Sequence, residues 1–211
     1  NGLGDMSLNV WYETFENIMC VYQVRDVKDL MPAIYLGSTL TIPTGKSKYG
    51  DEVSTAFDIT GRGFYRIDAN LLMDKTIWPW TMIFEFSYGV YLERAVNQEY
   101  GNYVEPYDEQ LGNRRKGLVS LGYTSFLKNL DTMTYTLAYT DLEEDQGTIN
   151  GATNSASGFE KRSFTFTAAY ATMAKDWIVK ASVNHSPRSN GWGENFPVTN
   201  IYSVELIHVI P

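Results

Sequence analysis

The chain has 211 residues, 44% of them hydrophobic and 20% charged, with a formal net charge of −8 and a pI near 4.8. A single cysteine excludes a disulfide scaffold and a cysteine zinc site, and the acidic balance argues against nucleic acid as a partner. No run of about 20 apolar residues is present, so no transmembrane helix is expected, but the mean hydropathy of −0.26 leaves β-barrels open because their strands alternate.

From the N-terminus, Asn1-Gly2-Leu3-Gly4-Asp5 carries no initiator Met, no basic run and no apolar signal-peptide core. Alternation of apolar and polar residues then predicts strands at roughly 5–24 and 31–43. A strand at 56–73 sets Phe57, Ile59, Tyr65, Ile67 and Leu71 on one face and Asp58, Arg62, Arg66 and Asp68 on the other. In strand 79–97, Trp80, Met82, Phe84, Phe86, Tyr88 and Val90 oppose Thr81, Glu85, Ser87 and Glu93. Strand 114–129 follows. In strand 131–143, Met133, Tyr135, Leu137 and Tyr139 alternate with Thr134, Thr136 and Thr140. Strand 159–174 sets Phe164, Phe166 and Tyr170 against Ser163, Thr165 and Thr167. Strand 176–186 sets Trp177, Val179, Ala181 and Val183 against Lys180, Ser182 and Asn184, and strand 198–209 brings Glu205 to the polar face. No segment sustains helical spacing.

Short turns near 25–30, 74–78, 129–130 and 175 alternate with long polar loops near 44–55, 98–113, 144–158 and 187–197. Loops sorted by length in this way are the pattern of outer-membrane barrels. The expected fold is therefore all-β: one domain over 1–211, an antiparallel up-and-down transmembrane β-barrel with nine strands visible. Phe84, Phe86, Met133, Tyr135, Leu137, Tyr139 and Val179 are expected to face lipid. Asp58, Arg62, Arg66, Asp68, Glu85, Glu93, Lys180 and Glu205 are expected to line the lumen, with Arg66 and Glu85 as neighbours across the 74–78 turn. Trp11, Trp78, Trp80, Tyr88, Tyr91, Tyr123, Trp177 and Tyr202 are candidates for interfacial belts. A soluble barrel or sandwich would read the same aromatics as core.

Strand parity gives a further expectation. Strands 31–43, 79–97, 131–143 and 176–186 precede long loops and run outward, whereas 5–24 and 198–209 both run inward. Bacterial barrels usually have even strand number, so at least one strand is expected before Asn1, giving about 10 or about 12 in all. Strands 5–24 and 198–209 should then not pair with each other, unless a hairpin at Glu16-Asn17 splits the first strand.

Catalytic signals are weak. His185 stands beside Ser186 without the partners a hydrolase needs, and His208 reads as an interfacial residue. Asp141, Glu143, Glu144 and Asp145 form an acidic run, a solvated loop or a cation-bridging one, but Gln146 occupies the position where an EF-hand requires glycine. Gly2-Leu3-Gly4 and Gly61-Arg62-Gly63 lack the rest of a dinucleotide fingerprint. Cys20 has no local histidine and reads as a small buried or lipid-facing side chain rather than a nucleophile. No enzyme activity, metal or cofactor is expected.

The segment Met31 to Gly45, ending in Pro43-Thr44-Gly45 and preceded by Gly2-Leu3-Gly4-Asp5, resembles the MetA-pathway of phenol degradation family of bacterial outer-membrane barrels, as does Leu121-Gly122-Tyr123 on a later strand. Val209-Ile210-Pro211 departs from the terminal aromatic that ends most such barrels. The resemblance implies a bacterial outer-membrane location and passage of small, often hydrophobic or aromatic, solutes, and it supplies no catalytic residues. The functional expectation is a channel among outer-membrane lipids, with association into a homo-oligomer or protein complex left open. The rivals are a filled structural barrel serving assembly, a barrel enzyme and a soluble ligand-binding barrel.

Overall fold

The computed structural model describes residues 3–14, 19–173, 176–187 and 198–208. Its strands are β1 (Met6–Glu13), β2 (Cys20–Val21), β3 (Ala33–Ile42), β4 (Arg66–Ile77) and β5 (Trp80–Tyr91). There follow β6 (Arg94–Glu99), β7 (Asn102–Gln110), β8 (Arg114–Phe126) and β9 (Thr132–Glu144). The last are β10 (Thr148–Ile149), β11 (Ala152–Thr153), β12 (Phe159–Ala171), β13 (Trp177–Ser186) and β14 (Thr199–His208). Among the described residues helix is confined to two short 3-10 turns, Val27–Leu30 and Ala56–Asp58.

The large sheet runs β1-β3-β4-β5-β8-β9-β12-β13-β14, antiparallel throughout, with β2 added parallel to β4. Each of its nine long strands matches one expected from alternation. Among the described residues β1 pairs only with β3 and β14 only with β13, so the two end strands do not close on each other. Residues Glu16-Asn17, the 188–197 part of the last long loop and the final three residues lie outside the described residues.

Three strand boundaries differ from expectation. The first strand ends at Glu13, and β2 takes up only two of the later residues. The strand expected at 56–73 begins at Arg66, because Asp58 belongs to a 3-10 turn and Gly63 has φ +81°, outside extended conformation. The strand expected at 79–97 breaks after Tyr91.

Cross-strand register assembles the faces. Met82, Leu121, Leu137, Phe166, Val183 and Tyr202 stand side by side across β5, β8, β9, β12, β13 and β14. The adjoining row contains Phe84, Val119, Tyr139 and Phe164. These large side chains lie on the open face: Leu137 is 56% exposed and Tyr135 41%. The opposite face carries Thr39, Asp68, Asn70, Glu85, Ser120 and Thr136, and it is the more covered one, with Asp68 and Ser120 buried. A soluble sheet buries its apolar face and wets its polar one; this sheet does the reverse.

The packed core lies at one end of the sheet. The loop at 98–113 is largely the β6–β7 hairpin, and β10 and β11 arise within the loop at 144–158. Together they form a second sheet in the order β11-β10-β7-β6. Beneath it Tyr49, Phe64, Tyr91 and Val96 form a buried cluster, with Val104, Tyr107 and Leu111 against it. At the other end the buried Asp131 ties two turns together, accepting hydrogen bonds from the Tyr170 hydroxyl and from the Met173 amide at 2.7 Å.

Candidate functional site

The loop-built cap and the polar face meet at a set of charged groups, and the position of Arg62 depends on a knot of backbone contacts. The Asp5 carboxylate accepts from the Gly45 amide at 3.0 Å and from the Arg62 amide at 2.9 Å. Thr44 Oγ1 accepts from the Met6 amide and donates to the Gly4 carbonyl. A Cβ on Gly61 would lie 2.2 Å from Asp5 Oδ1 and 2.9 Å from Gly45 Cα, so only glycine fits there. The Gly-Asp and Pro-Thr-Gly segments singled out in the sequence are therefore in contact, and they anchor the base of the 46–64 loop.

From that anchor Arg62 reaches Glu144 through two hydrogen bonds, Nη1 to Oε2 at 2.5 Å and Nη2 to Oε1 at 2.8 Å. Arg62 also donates to the Tyr91 hydroxyl at 2.9 Å, and Tyr91 donates to Glu144 Oε2 at 3.2 Å. Arg66 completes the group, pairing with Asp68 at 2.9 Å and touching the Tyr91 hydroxyl at 3.2 Å. Burial opposes the charge on Arg62, but its bonds to Glu144 and Tyr91 outweigh burial and raise its pKa. The arrangement is a planar, bidentate pair of the strong kind.

A second set lies within the cap. Lys48 pairs with Glu99 at 3.0 Å and Glu109 at 3.4 Å. Tyr49 donates to Glu109 at 2.7 Å, and Tyr107 donates to Glu99. Burial, and then the Glu109 hydrogen bond, push the Tyr49 hydroxyl well above its usual pKa, so it remains a donor. The Tyr107 hydroxyl also holds Glu99 below the usual glutamate range, with Lys48 adding to the effect.

On the polar face a cleft of about 310 Å³ opens below this cap. Trp11, Thr39, Arg66, Asp68, Leu72, Glu85, Arg114 and Lys116 are among its lining residues. Trp11 lies flat over Gly37, where a Cβ would stand 2.6 Å from the indole. Its strand parity places it opposite Tyr12, on the polar face, and not in an interfacial belt as expected.

Arg66, Asp68 and Glu85 share the polar face, and Arg62 reaches it from the loop. Lys180 and Glu205 pair across β13 and β14 at 3.1 Å. Two expected members do not belong. Asp58 is exposed and accepts hydrogen bonds from the Thr55 amide and hydroxyl, capping its own turn. Glu93 lies past the end of β5 at an exposed rim. Arg66 and Glu85 share a face but are not neighbours: Arg66 stands opposite Tyr91 and Glu85 opposite Leu72. The reason is the turn, which is Trp78-Pro79 and not 74–78, so the register moves by several residues. Glu85 instead has Lys116 at 3.8 Å.

Phe84, Phe86, Met133, Tyr135, Leu137, Tyr139 and Val179 all share the apolar face by register. Tyr91 does not belong with the strand-end aromatics of that face, being buried under the cap. In the acidic run only Glu144 is buried, paired with Arg62; Asp141, Glu143 and Asp145 keep contact with solvent while pairing with Arg162 and Arg115. His185 bonds Asn200 at 2.8 Å rather than a serine, the His208 ring lies against Trp177 and Cys20 is exposed. Sequence reading missed Glu144, Tyr91 and Arg114 as members of the polar-face site; their parity with Glu85 and Lys116 was the available signal. No family model matches the chain, and no curated protein matches it in sequence.

Proposed function

We propose that this chain forms a transmembrane β-barrel of a bacterial outer membrane and passes small solutes along its polar face. The observation that carries the reading is the inverted amphipathicity of the large sheet, with a continuous apolar face open and a threonine-, serine- and charge-bearing face covered. The longer strands run to 12 or 13 residues. At ~3.4 Å per residue and a tilt of ~40°, such strands cross an apolar band ~25 Å tall. The apolar face also changes character at one level: above Tyr139 and Phe164 it continues as Asp141, Glu143, Glu160 and Arg162, a charged belt suited to headgroups. Trp80 with Tyr123, and Trp177 with His208, supply aromatic contacts near the opposite end. The joined Asp5 and Pro43-Thr44-Gly45 segments extend the proposal to the MetA-pathway of phenol degradation family.

A filled structural barrel is the second reading. It is favoured by the Arg62, Tyr91, Glu144, Arg66 and Asp68 network, in which every charge is compensated as a dry interior requires. Reconstitution into planar bilayers separates the two. Discrete conductance that changes in Arg62→Ala and Arg66→Ala is expected of the channel, and folded protein that never conducts would favour the filled barrel.

A further inference from the structure

The cleft on the polar face has one charge left over. Three cations line it, Arg66, Arg114 and Lys116, against two carboxylates, Asp68 and Glu85, and the Arg62–Glu144 pair lies outside that lining. Arg66 is matched by Asp68 and Arg62 by Glu144. Glu144 stands directly across from Arg114 in the β8–β9 register, but both of its oxygens are committed to Arg62. Lys116 meets Glu85 only at 3.8 Å, beyond hydrogen-bond distance. The Arg114 side chain has no ion pair or hydrogen bond among the described residues. In a chain of net charge −8, this is a local positive excess on a concave surface.

The spacing adds a direction. Arg114 and Lys116 are two apart on β8, so they project from the same face ~7 Å apart. Asn70 donates to Thr39 at 2.8 Å and Thr39 to Asn9 at 2.5 Å, which leaves Arg114, Lys116 and Glu85 as the charged side chains of the cleft without a hydrogen bond among the described residues. Trp11 and Leu72 supply the apolar wall.

We propose that the cleft binds the carboxylate of a small organic acid, held by Arg114 and Lys116, with its carbon body against Trp11 and Leu72. A guanidinium presents two parallel donors to a carboxylate, a geometry that a neutral amide does not reproduce. The cleft volume suits a small molecule. The proposal rests on the reading of the polar face as a solute-accessible interior.

The test is calorimetric titration of detergent-solubilised protein with butyrate and with butyramide, its neutral counterpart, at fixed ionic strength. Saturable binding of butyrate and none of butyramide is expected. Arg114→Gln should weaken butyrate by about tenfold or more and Lys116→Gln by less. Arg114→Lys should retain part of the affinity, which guards against loss by misfolding, and Lys128→Gln, at an exposed turn, should change nothing. Equal binding of acid and amide, full affinity in Arg114→Gln, or no saturable binding to folded protein would each overturn the proposal. Conductance is measured separately: binding without conductance removes the channel and keeps the site, and conductance without binding does the reverse.

Discussion

Arg62 and Glu144, 82 residues apart in the chain, close on each other through two hydrogen bonds and join the cap to the polar face of the sheet. Glu144 is 2% exposed while Arg62 retains contact with solvent, so the pair is most sensitive to loss of the arginine. Arg62→Ala should destabilise the protein by about 2–3 kcal/mol, below the usual figure for a fully buried pair because one partner is half exposed. Arg62→Ala combined with Glu144→Gln should recover part of that loss. Thermal unfolding of the two variants checks this, and an equal loss in both would show that the pair is not the source.

The open apolar face makes an asymmetric prediction under the proposed membrane setting. Leu137→Arg should cost roughly 2–4 kcal/mol when unfolding is measured in lipid vesicles. Thr136→Arg, one residue away and on the polar face, should cost much less. Similar values for the two would mean that neither face meets hydrocarbon.

Much of this architecture is legible in the sequence because a strand's faces follow from period two alone. The strand expected at 131–143 is observed at Thr132–Glu144, and all seven expected lipid-facing residues share one face. What was not legible depended on turn position and on long-range pairing. Trp78-Pro79 sets the β4–β5 register, and an assumed turn at 74–78 brought the wrong residues opposite Arg66. The β10–β11 hairpin had a local signal in Asn150-Gly151, where both residues have positive φ, 49° and 75°. Tyr100-Gly101 between β6 and β7 is similar, with φ 48° and 74°. Composition made these segments look like loops. The capture of Glu144 by Arg62 had no local signal, since it requires Asp5 to hold the base of a distant loop.

That knot gives its own prediction. Gly61→Ala would drive a methyl group into Asp5 and the Gly45 backbone. The expected outcome is faster proteolysis within 46–64 and a loss of stability of about 1–3 kcal/mol from forced backbone shifts. Asp5→Asn should loosen the same loop more mildly, since one oxygen acceptor remains. An unaltered cleavage pattern in Gly61→Ala would contradict the contact.

Acid should loosen the cap before the sheet. Glu99 is held below its usual pKa by the Tyr107 hydroxyl and by Lys48, so its carboxylate form is favoured in the folded cap. That contribution is fully present above the ordinary glutamate value near pH 4.3 and is lost as pH falls through the lower folded value. Hydrogen exchange in β6 and β7 should therefore rise below about pH 4.3, and Glu99→Gln should remove that step. A step at the same pH in Glu99→Gln would assign it to another group.

The inverted amphipathicity of the sheet is tested most directly by nitroxide labels placed singly at positions 133 to 140 of β9 in a lipid bilayer, with Cys20 replaced. Accessibility to oxygen and to a water-soluble nickel complex is read at each position. Oxygen accessibility should peak at the Met133, Tyr135, Leu137 and Tyr139 positions, and nickel accessibility at the Thr134, Thr136 and Thr140 positions. A reversed alternation, or water exposure on both faces of β9, would contradict the membrane-barrel account.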